Sequence, residues 1–354
     1  MKSLCFFGIY DRTYSRNAVI AQGLEKHGYN VIHCNIDPRM SGGLKKYFML
    51  IRERMKVRKV EFIFVAFPGH TCVLLAKILF PRTLIVFDVF LSLRHANAFD
   101  RKVYAPKSLK GLRDFILDWH SIRAADVVII DTYAHMDMFV KEYGLSRAKA
   151  KRVLMGSTAD MSKYRDIHPP AAPFIVHYHG SFIPQHGVEY MLDAAQILKN
   201  ESGILFRFIG GGQARNEMQQ RAKSMNLSNV EFVDKMPFVE VMAKLAASHV
   251  SLGMFGKAER AQWVIINKVV ESAAMGKAII TQDSPAMREV FTDGENVLLT
   301  RPADGADLAD KIKSLKADPN LRIKLGKNAQ EVFERCFTPE VVVKSLLDSI
   351  GSLV

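Results

Sequence analysis

The chain of 354 residues is long enough for about two domains of the usual 100 to 200 residues each. Hydrophobic residues make up 49% and charged residues 24%, which excludes the disordered, collagen-like and coiled-coil classes. The longest apolar runs fall short of the roughly 18 uncharged residues that a membrane-spanning helix needs. The four cysteines, Cys5, Cys34, Cys72 and Cys336, show no Cys-x-x-Cys spacing, so we expect neither zinc sites nor disulfides and favour the reducing cytoplasm.

The net charge is distributed unevenly along the chain. Residues 1–170 contain 28 lysines and arginines against 15 aspartates and glutamates, whereas residues 171–354 contain 21 of each. The whole excess of +13 therefore lies in the first half. This asymmetry predicts an anionic partner for that half, such as a membrane surface, a nucleic acid or a phosphorylated acceptor. The alternative is a basic surface that serves solubility alone.

Apolar β-branched runs alternate with amphipathic helical stretches, which is typical of a parallel sheet with helices on both faces. In the first half the predicted strands are residues 4–7, 30–35, 62–67, 84–87 and 127–130. In the second half they are residues 174–178, 205–209, 230–233, 250–252 and 278–280. Three prolines in residues 167–173 exclude regular structure near the midpoint, so we place a linker there. The predicted fold is α/β, with two doubly wound Rossmann-like domains at residues 1–168 and 169–354.

Two strand-to-helix junctions in the second half are rich in glycine. Residues 206–212 run from a strand into three glycines before a helix, a pattern that suits an anion, although a simple tight turn also explains it. Arg215 replaces the last glycine of a dinucleotide fingerprint, which disfavours a nicotinamide-dependent oxidoreductase. Residues 178–187 form the second junction. His177 and His179 alternate on its strand, and without a nearby third ligand a packing or hydrogen-bonding role is favoured over metal binding.

A lysine and a glutamate share one face near the start of a predicted helix in the second half. Lys268 and Glu271 stand three residues apart, before Gly276 ends the helix. A cation and a carboxylate presented together suit a nucleotide, with the lysine on phosphate and the glutamate on ribose hydroxyls. An ordinary surface ion pair is the alternative.

In order along the chain, these motifs resemble glycosyltransferase family 4, whose members are retaining enzymes with the GT-B fold. The similar blocks are residues 180–187, 208–212, 229–232, 267–277 and 293–299, with further similarity at residues 124–132 and 156–164. The resemblance implies two domains that face a central cleft, with the acceptor held by the first domain and a nucleotide-sugar by the second. It also implies that the last helix crosses back to the first domain.

The resemblance implies a set of donor-binding residues in the second domain, with Glu271 on the ribose and the glycine loops around the diphosphate. These residues are Glu271, Lys268, Asn267, His186, Gly187, Ser181, Gly180, Gly210, Gly211, Gly212, Phe255, Gly256 and Lys257. Trp263 stands eight positions before Glu271, where family members commonly have a first glutamate, and Glu259 is a candidate substitute.

Two further departures from the family concern phosphate binding. Ser181 and His186 stand where many members have arginine and lysine. The diphosphate charge would then be neutralised by Lys268, by Lys257 or Arg260, by backbone amides and by a protonated His186.

Candidate residues of the first domain lie at predicted strand ends and in the first strand-to-helix turn. Asp88 and His70 are, with Glu259, the candidate catalytic residues, because polar residues at strand ends are often functional in this fold. Tyr14 and Arg16 are candidates for the acceptor or phosphate side. A helix cap at Ser15 explains the same turn without any function.

The function that the resemblance implies is retaining transfer of a sugar from a nucleotide-sugar to an acceptor, in surface polysaccharide or glycolipid synthesis. Such transfer is ascribed to front-face attack without an enzyme nucleophile, the leaving phosphate helping to deprotonate the acceptor. The sequence contains no Asp-x-Asp triplet, so we expect neither a metal nor a cofactor beyond the donor. A nonenzymatic nucleotide-sugar-binding protein and a nucleotide-sugar epimerase remain the alternatives.

The expected partners are the donor, a lipid-linked or saccharide acceptor and an anionic membrane surface, but no nucleic acid. Between Leu44 and Glu61, residues 45–59 interleave seven lysines and arginines with seven large apolar residues. A helix of this composition is typical of a segment that lies in a membrane interface, although a helix packed on the sheet with a basic edge is the alternative. We therefore expect a cytoplasmic protein, bound peripherally to the inner face of the cell membrane.

Overall fold

The computed structural model describes residues 2–40, 42–164, 166–351 and 353. The chain forms two compact units, one made of Met1–Thr158 and Cys336–Val354 and the other of Ala159–Arg335. The first unit is therefore discontinuous in sequence. The division falls before the proline-rich segment, whereas the sequence analysis places the boundary between residues 168 and 169.

Unit 1 is built on a six-stranded parallel sheet in the order β2-β1-β3-β4-β5-β6. Its strands are β1 (Ser3–Ile9), β2 (Asn30–Ile36), β3 (Phe62–Val65), β4 (Leu84–Asp88), β5 (Val127–Ile130) and β6 (Ala150–Arg152). Its helices are α1 (Ser15–Lys26), α2 (Lys45–Arg54), α3 (Val73–Leu79), α4 (Leu109–Ala124), α5 (Tyr133–Tyr143) and, at the end of the chain, α13 (Pro339–Ile350). The core on one face of the sheet joins Leu4 and Phe6 of β1 to Val342 and Leu346 of α13.

Unit 2 repeats this architecture with the sheet order β12-β11-β10-β7-β8-β9. Its strands are β7 (Phe174–His179), β8 (Ile204–Ile209), β9 (Val230–Val233), β10 (Val250–Leu252), β11 (Ala278–Gln282) and β12 (Leu298–Thr300). Its helices are α6 (Val188–Ile197), α7 (Arg215–Ser224), α8 (Phe238–Ala246), α9 (Asn267–Ala274), α10 (Pro285–Arg288), α11 (Gly305–Ala317) and α12 (Pro319–Cys336). Neighbouring strands are parallel throughout, as in the register Val176↔Phe206 of β7 and β8.

The prediction of two doubly wound α/β units is confirmed, and every predicted strand is present. The strands β6 and β12 were missed because each has only three residues at the edge of its sheet, too few to show a periodic pattern. Within the described residues, no helix combines the length and the apolar character that crossing a bilayer requires.

Candidate functional site

The carboxyl ends of β7 and β10 in unit 2 lie side by side at the point where the sheet order reverses. The loop after β7 leads towards β8, whereas the loop after β10 leads away from it towards β11. In open α/β sheets, ligands bind in the crevice that such diverging loops create. The helix α9 begins close by in sequence, at Asn267, and supplies two buried charged side chains, Lys268 and Glu271.

A chain of hydrogen bonds leads from the interior of the sheet to Glu271. His177 Nε2 lies 3.0 Å from His179 Nδ1, and His179 Nε2 lies 2.8 Å from Glu271 Oε2. Because a carboxylate only accepts, Nε2 of His179 donates to Glu271 and its Nδ1 accepts from His177. Burial lowers the pKa of His177 well below its ordinary value, so this imidazole is neutral. The chain fixes the orientation of the Glu271 carboxylate.

One oxygen of Glu271 remains open for a ligand. Oε2 accepts from His179, whereas Oε1 has no hydrogen-bond partner among the residues that the structure describes. The Glu271 side chain is only 8% exposed, so the surroundings of this carboxylate are largely buried. An acceptor in such a position forms strong hydrogen bonds with the hydroxyl groups of a ligand.

Lys268 is a buried cation beside the loop that follows β7. Its Nζ lies 4.8 Å from the centroid of the Tyr178 ring and 3.3 Å from His186 Nδ1. A Cβ atom at Gly180 would lie 3.2 Å from Nζ, so the ammonium group lies against the backbone of that loop. Burial lowers the pKa of Lys268 to about 7, although the Glu271 carboxylate opposes this shift. An anion bound beside Lys268 would favour the protonated ammonium group, so the buried lysine suits an anionic ligand.

His186 does not supply the positive charge that the sequence analysis expects from it. Its Nδ1 lies 2.6 Å from the carbonyl oxygen of Ser181 and 2.8 Å from the hydroxyl of Tyr178. Burial, together with the nearby Lys268 cation, lowers the pKa of His186 well below its ordinary value. The imidazole is therefore neutral at physiological pH and acts as a hydrogen-bonding group that orders residues 181–186.

The glycines of the site allow backbone segments to approach closely. A Cβ atom at Gly210 would lie 2.1 Å from the Gly180 carbonyl oxygen, so the loops after β7 and β8 pack backbone against backbone. Gly187 has φ 65°, and a Cβ atom there would lie 2.5 Å from the Gly256 nitrogen. Among the described residues, the N–H groups of Gly211 and Gly212 have no hydrogen-bond partner, which leaves two donors for an anion.

The other donor candidates lie around the same loops. The N–H of Phe255, whose side chain is buried, donates to the His186 carbonyl oxygen at 3.1 Å, which joins the loops after β7 and β10. Ser181 and Lys257 are exposed, and Lys257 Nζ lies 5.8 Å from the centroid of the Tyr190 ring. Asn267 is half-buried at the start of α9.

Trp263, at the position of the expected first glutamate, has a packing role. It packs against a small apolar cluster of Met254, Ala261 and Val264 in the loop that precedes α9. Glu259 is exposed, in a short 3-10 segment of the same loop. Neither residue therefore gives this loop a buried carboxylate.

Two of the candidates in unit 1 bind each other in the interior. Arg16 donates from Nε to Asp88 Oδ2 at 2.9 Å and from Nη2 to Oδ1 at 3.2 Å, and both side chains are fully buried. Arg16 Nη1 also donates to the Leu154 carbonyl oxygen at 2.6 Å. This corrects the expectation that the two face a ligand: the ion pair connects α1, β4 and the segment after β6.

The other two candidates of unit 1 lie in different surroundings: His70 is buried, and Tyr14 is partly exposed. His70 Nε2 lies 3.1 Å from the Leu91 carbonyl oxygen and 3.4 Å from Asp118 Oδ1, and its side chain is 1% exposed, so it orders a buried loop. Tyr14 is partly exposed and packs on Phe67 and Phe90, with ring centroids at 5.2 and 6.2 Å. Of the unit 1 candidates, Tyr14 is the one whose ring reaches the surface.

His179 is a site residue that was not predicted from the sequence. Its one signal was the alternation of His177 and His179 at the end of a strand, which does not reveal a carboxylate 92 residues away. Among the described residues, no group of three or more histidine, cysteine, aspartate or glutamate side chains is arranged to hold a metal ion.

The second half of the chain is similar to known proteins. Residues 160–332 match the family described as Glycosyl transferases group 1. An uncharacterised glycosyltransferase of Methanocaldococcus jannaschii is 30% identical over 164 residues, which are 46% of this chain and 44% of that protein. The lipopolysaccharide core biosynthesis glycosyltransferase LpsE of Rhizobium meliloti is 26% identical over 192 residues, 52% of this chain and 51% of that protein. The chain thus spans about half the length of the curated relatives it matches.

A solved structure extends the comparison of folds to the whole chain. Anabaena HepE in complex with UDP and glucose superposes with a TM-score of 0.72 at 17% identity, covering 100% of both chains. At this identity the similarity concerns the fold alone, and the predicted GT-B fold is confirmed. Residues 160–332 are thus similar to the family Glycosyl transferases group 1, and the likeness to HepE extends the fold to the rest of the chain.

Proposed function

We propose that this protein is a glycosyltransferase that transfers a sugar from a nucleotide-sugar donor to an acceptor in surface polysaccharide or glycolipid synthesis. The observation that carries the proposal is the pairing of an open carboxylate oxygen on Glu271 with the buried cation of Lys268. Both lie on α9, within residues 160–332, which match the group 1 family. Glu271 would accept from the ribose hydroxyls, and Lys268 with the Gly211 and Gly212 amides would bind the diphosphate.

The base of the donor is testable with nucleoside diphosphates alone. HepE was solved with UDP and glucose, and on that basis we propose a uridine nucleotide as the first candidate. A thermal-shift screen of UDP, GDP, ADP and CDP is expected to show stabilisation by one of them above the others, because ligands that bind the native state raise its melting temperature. Stabilisation by none of the four would contradict the proposed site.

Trp263 makes a nonenzymatic binding protein the competing function, since the loop before α9 lacks a buried carboxylate. Hydrolysis of the matching nucleotide-sugar without an acceptor separates the two, because a binding protein would release no nucleoside diphosphate. A sugar epimerised in the recovered nucleotide-sugar would instead identify an epimerase.

We further propose that the transfer is retaining and independent of metals and cofactors, in line with the resemblance to family 4 and with the absence of an Asp-x-Asp triplet from the sequence. The departing diphosphate would be stabilised by Lys268 and the loop amides. Product analysis by NMR reports the anomeric configuration, and activity that survives EDTA treatment would support metal independence.

We predict that His179 positions Glu271 for the donor. The H179L variant removes the hydrogen bond to Glu271 Oε2, and since one hydrogen bond contributes about 1 kcal/mol, nucleoside diphosphate affinity should fall about fivefold. H179Q keeps a donor in the place of Nε2 and should recover most of the affinity. Titration calorimetry measures both variants, and equal losses would contradict a role through hydrogen bonding.

For the acceptor, we propose a lipid-linked molecule at the inner face of the cell membrane, which a basic segment around α2 would approach. Each basic residue near an anionic surface contributes about 1 kcal/mol, so the attachment should be reversible and sensitive to salt. The protein is expected to sediment with anionic vesicles at low salt and to leave them in larger part as salt rises. If it stays in the supernatant at low salt, a soluble saccharide acceptor becomes the better hypothesis.

A further inference from the structure

The helix α2 turns its apolar side chains outwards. Leu44, Phe48, Ile51 and Met55 recur at helical spacing along α2 and its two flanking residues, and they are between 39% and 77% exposed. Leu50 is the buried residue of the helix. A surface helix of a globular protein normally buries its apolar stripe, so α2 has the opposite arrangement.

A basic stripe runs beside this apolar one. Lys45 and Arg52 of α2 each follow an exposed apolar residue, Leu44 and Ile51, and Lys56 and Lys59 come just after the helix; all four are exposed. Lys56 forms an ion pair with Glu53 at 2.6 Å, whereas Lys45 and Arg52 have no acidic partner among the described residues. Large apolar residues beside unpaired cations are the composition of a helix in a membrane interface.

The next two helices of unit 1 show the same outward apolar residues. Leu74 and Ile78 of α3 are 57% and 66% exposed. Leu109, Leu112 and Ile116 of α4, at successive turns of the helix, are 87%, 53% and 43% exposed. Exposed apolar side chains that cluster on neighbouring helices are typical of an interaction site.

These three helices lie on one face of the unit 1 sheet. The connections β2-α2-β3, β3-α3-β4 and β4-α4-β5 all advance in the same direction across the sheet order. Parallel crossovers are right-handed, so helices whose connections advance in one direction cover one face, while α1 lies on the other with α13. α3 and α4 are in contact, and Arg54 Nε of α2 donates to the Leu79 carbonyl oxygen of α3 at 3.2 Å.

No acidic side chain of α2, α3 or α4 is exposed. All residues of α2, α3 and α4 are described, and their acids are Glu53, which is half-buried and paired, and Asp114 and Asp118, which are buried. The exposed charged residues of the helices are Lys45 and Arg52 of α2 and Lys110, Arg113 and Arg123 of α4. By contrast, α11 of unit 2 exposes both Asp310 and Lys313. The outer surface of α2, α3 and α4 is therefore apolar and cationic, whereas α5, which follows α4 on the same face, exposes Asp137 and Glu142.

We propose that the outer surface of α2, α3 and α4 inserts into the lipid–water interface of an anionic membrane. This proposal rests on the lipid-linked acceptor proposed above. The earlier proposal involved only electrostatic attraction of the basic segment around α2, whereas this one adds insertion of apolar side chains from three helices. Charge complementarity selects this occupant, because an anionic bilayer satisfies both the cations and the apolar side chains. A second copy of the chain, packed through the same patch by a twofold axis, would bring cation against cation.

Insertion has a consequence that charge alone does not have. Salt screens the electrostatic component but leaves the apolar one, so part of the protein should stay on anionic vesicles at high salt. We expect a salt-resistant fraction that depends on α3 and α4 and a salt-sensitive fraction that depends on the basic residues.

Flotation with vesicles of phosphatidylglycerol and phosphatidylcholine, at about 0.1 M and about 1 M NaCl, tests this division. At high salt, the I78S/L112S/I116S variant should bind these vesicles at least fivefold more weakly than the wild type. At low salt, the K45Q/R52Q/K110Q variant should bind anionic vesicles at least fivefold more weakly than the wild type. I323S is the matched control, because Ile323 is 70% exposed on α12 of unit 2, and it should bind like the wild type.

Thermal melting and nucleoside diphosphate affinity of each variant should equal those of the wild type. If the I78S/L112S/I116S variant floats as well as the wild type at both salt concentrations, insertion by α3 and α4 is overturned. Absence of vesicle binding by the wild type, with a dimer that this variant abolishes, would overturn the proposal in favour of a second copy. If the wild type floats with the vesicles but binds no nucleoside diphosphate, the proposed glycosyltransferase function is contradicted and the proposed membrane insertion is still supported.

Discussion

The E271A variant is expected to bind the preferred nucleoside diphosphate at least tenfold more weakly than the wild type. Removal of a hydrogen bond to a charged group costs about 1.5–3 kcal/mol, and each 1.4 kcal/mol is about tenfold in affinity. The cost should lie in this range because the Glu271 side chain is only 8% exposed and its Oε1 is open. Titration calorimetry with the diphosphate and with the bare nucleoside measures the effect, which should be similar for both.

Two further variants separate the ribose contact from general damage to the fold. E271Q keeps the shape and an oxygen that accepts from His179, so an intermediate affinity would measure the contribution of the charge. E240A is the matched control, since Glu240 is exposed on α8 of the same unit. An E271A protein with a wild-type melting profile and unchanged affinity would reject the assignment of Glu271 to the ribose.

The K268M variant is expected to lose affinity for the diphosphate by about ten- to hundredfold while it binds the bare nucleoside nearly normally. The buried ammonium group has the Tyr178 ring and the Gly180 backbone as neighbours, so a diphosphate would be its main counter-charge. Methionine fills a similar volume without the charge. Equal losses for diphosphate and nucleoside would show that the variant acts through the shape of the site.

The pH dependence of binding gives a second measurement of Lys268. Burial lowers its pKa to about 7, so the free protein carries the ammonium below that pH and a neutral amine above it. Diphosphate affinity should therefore fall as pH rises from about 7 to 9, a range above the last phosphate ionisation near 6. Binding should take up protons in this window, and K268M should remove both effects.

The same pKa shift determines how the unfolding free energy depends on pH. The unfolded chain keeps Lys268 protonated up to its ordinary pKa of 10.5, whereas the native protein releases the proton near 7. The unfolded state thus binds more protons between these values, and the contribution of Lys268 to stability rises with pH across that window. At neutral pH and below, K268M should be more stable than the wild type, which denaturant titration measures.

The strands were predictable because their signal is local. The runs Phe62–Val65 and Val127–Ile130 are continuous and apolar, as buried parallel strands require, and they appear where the sequence places them. The loops with Gly180 and Gly210 were predictable from turn chemistry. The pairing of Lys268 and Glu271 on one helical face followed from their spacing of three residues.

Contacts between distant segments were not predictable in this way. Arg16 and Asp88 are 72 residues apart, and each resembles a functional residue until the structure brings them together. A strand-end aspartate and a loop arginine have the same sequence signature whether they meet a ligand or each other. His179 illustrates the opposite case, since its contact with Glu271 requires the register of β7 against the helix that follows β10.

The return of α13 to unit 1 also affects the order in which the protein folds on the ribosome. Val342, Val343, Leu346 and Ile350 belong to the same core as Leu4 and Phe6, although unit 2 lies between them in the chain. Synthesis proceeds from the amino terminus, so the first unit to be made still lacks one wall of its core while Ala159–Arg335 is being translated. The continuous second unit can close first, and the emerging first unit exposes apolar surface until α13 arrives. Chaperones would therefore meet this protein through its amino-terminal half.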